Sequence, residues 1–466
     1  MGDTPKKSLG LLDATLLVAG SMIGSGIFIV SSIMLNDIGS PAWMLVLWGI
    51  TGLITVLAAL SYGELAGMMP NAGGQYVYIQ RAYGRLPSFL YGWTVFTVIQ
   101  TGVIAAVAVA FAKYTAVFIP SLNLDIIHVG FLKVSWGQLV AIATIVLLTY
   151  ANSKGLRNGK MIQFVFTSAK LLALFALIFL GLYIGTQTEI FTANMAHAWD
   201  AYKTTSSPSG NIHVSPLVGW ALFGALGATI INSLFSADAW NNVTFIAGEI
   251  QNPQKNIPRS LFLGTLVVTI LYILANLAYL MLLPNAAIMH APSNRVGAAA
   301  AQVIFGEPGA LIMAGLIMIS TFGCNNGLIL AGSRLYHAMS KDGLFLKQAG
   351  KLNREGIPEV SLWIQCLWAS VLCLSGKYED LLTYSTFASL LFYILTISGI
   401  FILRKKEPKT HRPYLAFGYP VLPLLYLLIT LCICVILVRY SPLNTLSGLF
   451  IVFLGVPIYW FTIRRQ

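Results

Sequence analysis

"AGSMIGSGIFIV", residues 19–30, lies within an apolar stretch long enough to cross a bilayer, yet has glycine at 20, 24 and 26 and serine at 21 and 25. Each glycine in a helix interior costs about 1 kcal/mol against alanine. A span weakened at its centre is expected to be interrupted there. At membrane depth, the N–H and C=O groups so released are tolerated only where protein, water or a ligand satisfies them.

The surrounding chain makes the membrane setting firm. Of 466 residues, 57% are hydrophobic and 9% charged, against about 25% charged in ordinary soluble domains. Apolar runs of bilayer-crossing length recur near 10–35, 42–68, 86–112, 135–151, 160–185, 215–248, 259–283, 309–339, 358–375, 380–403, 416–439 and 443–463. The expectation is an all-α polytopic membrane protein of about twelve transmembrane helices, with no extended soluble domain. The start, "MGDTPKKSLGLLDATLLVAG", reads as a retained first span because no small-residue cleavage site follows a short apolar core.

A formal charge of +12 would suggest nucleic acid in a soluble protein. Its distribution gives a different reading. With the N-terminus inside, the inner segments hold 21 lysines and arginines, the outer ones 5, and Lys113 and Lys170 lie within spans. The positive-inside rule then puts both termini in the cytoplasm, and the basic excess marks topology and the lipid bilayer as partner. The cysteines at 324, 366, 373, 432 and 434 fall in spans without metal-ligand spacing, so neither a disulfide framework nor a metal site is expected. No cofactor motif occurs. The outer connections 186–214 and 284–308 are too small to be domains, and the charges of the inner loop "RKKEPKTHRPYLAFGYP" read as a solvated anchor.

Span 6 repeats the opening anomaly. In "INSLFSADAWNNVTFIAGEI", residues 231–250, the stretch Ser236-Ala237-Asp238-Ala239 interrupts the helix much as Gly24-Ser25-Gly26 interrupts span 1. The two interrupted spans run in opposite directions, which points to a transporter of inverted repeats with its site at the midplane. Close packing through small residues explains one such cluster better than it explains an opposed pair.

Breaking span 1 near Gly24–Gly26 leaves the inner half ending in free carbonyls. The outer half begins near Ile27 with free N–H groups at a positive dipole end, a ready anion site. Span 6 leaves a second set of carbonyls near Phe235 and Ser236. Donors for a carboxylate beside acceptors for an ammonium suit a zwitterionic amino acid.

"GSMIGSGIF", "FTSAKLLALFALI", "LFSADAWNNVTFIAGEI" with "QNPQKNIPRSL", "LYILANLAYL", "STFGCNNGLILAGSRL" and "RKKEPKTHRP" occur in the order in which similar motifs occur in the amino acid–polyamine–organocation superfamily. The chain resembles its L-type amino-acid transporter family over most of its length. That resemblance implies a first inverted repeat at 1–185, an outer loop at 186–214, a second repeat at 215–403, and an inner loop with two further spans at 404–466. It also implies alternating access and obligatory exchange. By resemblance, the substrate carboxylate meets the N–H groups of Ser25, Gly26 and Ile27. Its amine meets carbonyls near Ala19, Met22 and Phe235, and Phe235 closes over it from outside.

Lys170 lies about ten residues past the inner end of span 5, too deep for an easy reach to water, where a charge costs about 2.5–3.5 kcal/mol on insertion scales. Sodium-coupled relatives hold a metal ion between spans 1 and 8. Transporters resembling this one put a lysine ammonium there instead, so Lys170 is expected to tie the carbonyls near Gly20–Ile23 to Ser320 or Thr321. That filled place argues against sodium coupling; a titrating Lys170 would suggest proton coupling instead. Asp238 stands where many of the family have glycine. It reads either as a side-chain subsite for a cationic or hydroxyl-bearing substrate or as a cap on the inner half of span 6. The methyls of Ala237 and Ala239 would favour small substrates. Tyr279 and Asn276 match a span 7 pattern near the lysine, and Asp13, Glu64, Glu249 and Arg334 sit where ion pairs would form an inner gate.

Human relatives join a heavy chain through a cysteine in the outer loop after span 3. "PSLNLDIIHVGFLK" has none, so no disulfide-linked partner is expected, and the chain resembles a self-sufficient prokaryotic member. The functional expectation is a sodium-independent exchanger of small neutral L-amino acids in the plasma membrane, with a proton-coupled symporter of the same fold as the alternative. A channel lacks its ring of filter residues. An enzyme lacks paired carboxylates, a Ser/His constellation or a metal set at membrane depth.

Overall fold

In the computed structural model, residues 9–464 are described apart from 72, 130–131, 155, 207–211 and 376–377. Lys6, Lys7, Lys377 and Arg465, counted among the charges above, lie outside the described residues. Span 1 is two helices, α1 (Leu11–Met22) and α2 (Val30–Ile38), with a single 3-10 turn at Gly26–Phe28 between them. Gly39 ends α2 in the left-handed conformation, φ 64°, which costs glycine no steric strain. Ser40 then caps the next helix, its hydroxyl accepting from Trp43 N at 3.2 Å while Pro41 takes the first turn.

Span 2 is α3 (Pro41–Met68), joined by α4 (Gln75–Tyr83) to span 3, in which α5 (Arg85–Thr94) passes through a π-helical turn into α6 (Gln100–Phe118). Spans 4 and 5 are α7 (Trp136–Ser153) and α8 (Leu156–Gly185), followed by the short α9 (Ile190–Met195). Span 6 is α10 (Gly219–Ser236) and then 3-10 turns at Trp240–Thr244 and Ala247–Glu249. Span 7 is α11 (Pro253–Leu282), and α12 (Asn285–Met289) and α13 (Val296–Phe305) occupy the following connection. α14 (Gly309–Lys341), α15 (Glu359–Ser375), α16 (Tyr378–Lys406), α17 (Val421–Tyr440) and α18 (Pro442–Arg464) complete the chain.

The protein is therefore an all-α polytopic membrane protein. Among the described residues, nine helical segments are long and apolar enough to cross a bilayer. The shorter apolar helices Leu11–Met22, Glu359–Leu374 and Thr445–Phe461 fall on the remaining stretches read above as spans. The helix α11 packs against α1, α3 and α8. It approaches them through small residues: a Cβ at Gly264 would meet Val18, and one at Gly52 would overlap Thr269. Close backbone contact of this kind replaces the hydrophobic drive that lipid cannot supply.

Three features depart from the sequence expectation. Two outer connections carry antiparallel hairpins, Asp125–Val129 with Leu132–Ser135 and Tyr202–Ser206 with Ile212–Pro216, where short polar stretches give no clear alternation. The connection at 284–308 folds into α12 and α13. Third, the inner loop after α16 is a packed strap. Glu64, 1% exposed, accepts from Arg404 at 2.9 and 2.6 Å, pairs with Arg412 at 3.3 Å and accepts from Ala416 N at 2.8 Å. Arg404 also lies over the Tyr419 ring at 3.6 Å. A buried carboxylate requires such partners, and the loop's charges supply them.

Candidate functional site

A helix leaves its last four carbonyls without internal donors. At the end of α1, each is accounted for. Ala19 O accepts from Ile23 N at 2.9 Å. Gly20 O accepts from the Lys170 ammonium, which also donates to Ile23 O at 2.7 Å. Ser21 O accepts from Cys324 Sγ at 3.3 Å, and Met22 O from Tyr272 Oη at 3.0 Å. Ser320 Oγ reaches Ile23 O at 3.4 Å. Side chains from spans 5, 7 and 8 thus converge on one broken helix end. Lys170 is 0% exposed, and its charge is held by the backbone carbonyl dipoles of Gly20 and Ile23.

Tyr272 does more than cap one strand of the break. Its hydroxyl also lies 3.0 Å from Ser236 O, so one proton is shared between the carbonyl ends of both interrupted spans. Tyr272→Phe is expected to lower transport about tenfold, the loss of a hydrogen bond worth about 1–1.5 kcal/mol. Initial uptake rates at matched protein amount check this.

The outer half of span 1 begins abruptly. Phe28 N donates to Ser25 O at 3.1 Å and Ile29 N to Gly26 O at 3.0 Å. The N–H groups of Gly26 and Ile27 precede these first internal bonds and carry the positive end of the turn. The carbonyls just beyond are taken by tyrosines, Ile27 O by Tyr279 at 3.3 Å and Phe28 O by Tyr114 at 3.2 Å. Asn276 Oδ1 accepts from Ser31 Oγ at 2.5 Å, tying α2 to α11. The two breaks meet directly at Gly26, where an added Cβ would lie 2.7 Å from Ser236 Cβ and 2.9 Å from its Cα. Phe235, 7% exposed, is packed in the same core as Ile27 and Phe28.

In span 6, the helix α10 stops at Ser236 and the chain turns through Ala239 at φ 65°. For a residue with a Cβ, that left-handed conformation costs about 1–2 kcal/mol. Ala239→Gly is therefore expected to stabilise the folded protein by about 1 kcal/mol, read as a raised melting temperature in detergent. The Asp238 carboxylate accepts a 2.5 Å hydrogen bond from Tyr393 Oη and lies against the N–H of Ala239. It lines two recesses, which share Asp238, Ser389 and Tyr393.

Several positions marked in the sequence are brought together: Gly20, Met22 and Lys170 with Ser320; Gly24, whose missing side chain faces Cys324 at 3.3 Å; Gly26 with Ser236; and Ile27 with Tyr279. Thr321 is not among them. Its hydroxyl turns back to Ile317 O and Met318 O at 2.9 and 3.1 Å. Of the inner-end charges, Glu249 and Arg334 pair at 3.0 Å. Glu64 pairs instead with Arg404 and Arg412, and Asp13 accepts from Gly10 N at 3.0 Å. Sequence reasoning missed Tyr272, Tyr393, Tyr114 and Cys324. Tyr272 sits seven residues, two helical turns, before Tyr279 on span 7 and so shares its face, which is the signal that was available. Among the described residues, no group of three His, Cys, Asp or Glu side chains could hold a metal.

Residues 9–463 match the family model described as amino acid permease. The chain is 29% identical to the large neutral amino acids transporter small subunit 2 of Mus musculus, over 99% of this chain and 82% of that protein. It is 28% identical to the b(0,+)-type amino acid transporter 1 of Mus musculus, covering 97% and 88% of the two chains. The Asc-type amino acid transporter 1 of Mus musculus is likewise 28% identical, over 98% of this chain and 81% of its own.

Proposed function

We propose that this chain, which belongs to the amino acid permease family and is thus an amino-acid transporter rather than an enzyme, works as a sodium-independent exchanger of small neutral L-amino acids in the plasma membrane. The substrate carboxylate sits on the N–H groups of Ser25, Gly26 and Ile27. Its ammonium sits between the carbonyls of Ala19, Met22 and Phe235, and Gly24 and Ser236 let it approach the backbone. Alternating access follows as the interrupted halves of spans 1 and 6 tilt about the site. Met22 O accepts from Gly24 N at 2.9 Å and from Tyr272 Oη at 3.0 Å, and since a carbonyl oxygen has two lone pairs, the ammonium displaces one of these donors there.

The observation that supports this reading best is the buried Lys170 ammonium on Gly20 O and Ile23 O, with Ser320 on the same carbonyl. A fixed cation at a broken helix end leaves no charge for sodium to balance. Uptake of labelled alanine into proteoliposomes tests the mode. Exchange predicts uptake only into vesicles preloaded with amino acid, unchanged when choline replaces sodium. Uptake into empty vesicles driven by an imposed pH gradient would instead establish proton symport.

A further inference from the structure

The recess beside Asp238 that Gln75, Asn241 and Asn242 line contains a hydrogen-bonding group that the fold leaves unused. Most of its polar side chains are spent on one another. Gln75 Oε1 accepts from Asn241 at 3.0 Å while its Nε2 donates to Thr396 at 2.9 Å. Gln100 Nε2 donates to Leu328 O at 2.7 Å, and Tyr393 is committed to Asp238. Asn242 differs: it is 2% exposed, it lines the recess, and its Nδ2 has no partner. Ser389, 3% exposed, lines the same recess and stands beside the Asp238 carboxylate.

Buried polar atoms are paired in more than about 90% of cases, and the exceptions call for an explanation. Such an exception, Asn242 on the wall of a cavity beside the break in span 6, is a group held for a ligand. Resting on the amino-acid transport proposed above, we infer that this recess receives the substrate side chain and selects one that both accepts and donates: the hydroxyl of serine or threonine, or the carboxamide of asparagine or glutamine. Asn242 Nδ2 requires an acceptor. Ser389 and the Asp238 carboxylate receive the donor. An aliphatic side chain of equal size leaves the Asn242 amide desolvated and unpaired. A lysine or arginine side chain offers Asn242 no acceptor.

Isosteric pairs test the inference on the intact protein. Exchange of labelled alanine is measured in proteoliposomes against threonine and valine, then against asparagine and leucine, with lysine and arginine as the cationic arm. The polar member of each pair is expected to compete at a concentration at least about tenfold lower. In Asn242→Ala, the ratio should fall toward one. Should that variant not run as a single species on size exclusion, Ser389→Ala replaces it. Thermal shifts of the wild-type protein by the same four amino acids give the ratio independently. Ratios at or below one in the wild type, with exchange intact, overturn the inference and leave transport standing. Preference for lysine or arginine over all others overturns it in favour of a cation subsite. If no amino acid competes, the transport proposal and this inference fall together.

Discussion

Lys170→Ala is expected to reduce amino-acid exchange about 100-fold or more while the protein still elutes as a folded, monodisperse species. The ammonium is buried and donates to Gly20 O and Ile23 O. Hydrogen bonds to a charged group contribute about 1.5–3 kcal/mol each, so removing two costs about 3 kcal/mol or more. That loss falls on the local arrangement of the break, since spans 7 and 8 hold α1 through other contacts. The same outcome is expected for Lys170→Met, which keeps the aliphatic stem and removes only the charge. Initial exchange rates, normalised to folded protein by size exclusion, measure it; wild-type kinetics in either variant would remove Lys170 from the account.

Gly26→Val is expected to abolish transport. Even the first carbon of a side chain at 26 would stand 2.7 Å from Ser236 Cβ and 2.9 Å from Ser236 Cα, closer than packed carbons approach. Because one of those atoms is backbone, no rotamer change relieves the overlap, and the two breaks must separate. Overpacking of this kind costs about 1–3 kcal/mol, and it moves the N–H groups of Gly26 and Ile27 away from the facing carbonyls. Gly49→Ala is the matched control. Gly49 lies within α3 with nothing near its missing Cβ, so alanine there is expected to gain up to about 1 kcal/mol of helix stability and transport normally. Equal activity of the two variants would show that contact between the interrupted spans is dispensable.

What could be read from the sequence, and what could not, follows one physical division. The interruptions were legible because glycine and serine at Gly20, Ser21, Gly24, Ser25 and Gly26 oppose the apolar helix around them, and the cost is local. Lys170 was legible because a charge in a span needs partners. The identity of those partners was less so: Ser320 and Thr321 are adjacent in the chain, yet only Ser320 turns toward span 1, a choice made by helix rotation that sequence does not display. Tyr272 and Tyr393 stayed hidden for the same reason. An aromatic residue in a span is ordinary, and only tertiary packing brings its hydroxyl to Met22 O, Ser236 O or Asp238. Thus Asp238, framed beforehand as subsite or cap, meets both the inner turn of span 6 and a tyrosine from span 10. The charges at Arg404 and Arg412 read as solvated because their partner, Glu64, lies more than 300 positions away.

The central claim is that two snapped helices offer backbone donors and acceptors to the two charges of one small zwitterion. Density for an amino acid bound to the purified transporter tests it most directly. The account predicts a carboxylate within hydrogen-bonding distance of the amides at 25–27 and an ammonium facing the carbonyls of Met22 and Phe235. An amino acid held elsewhere, or a continuous α-helix through residues 19–30, would contradict it.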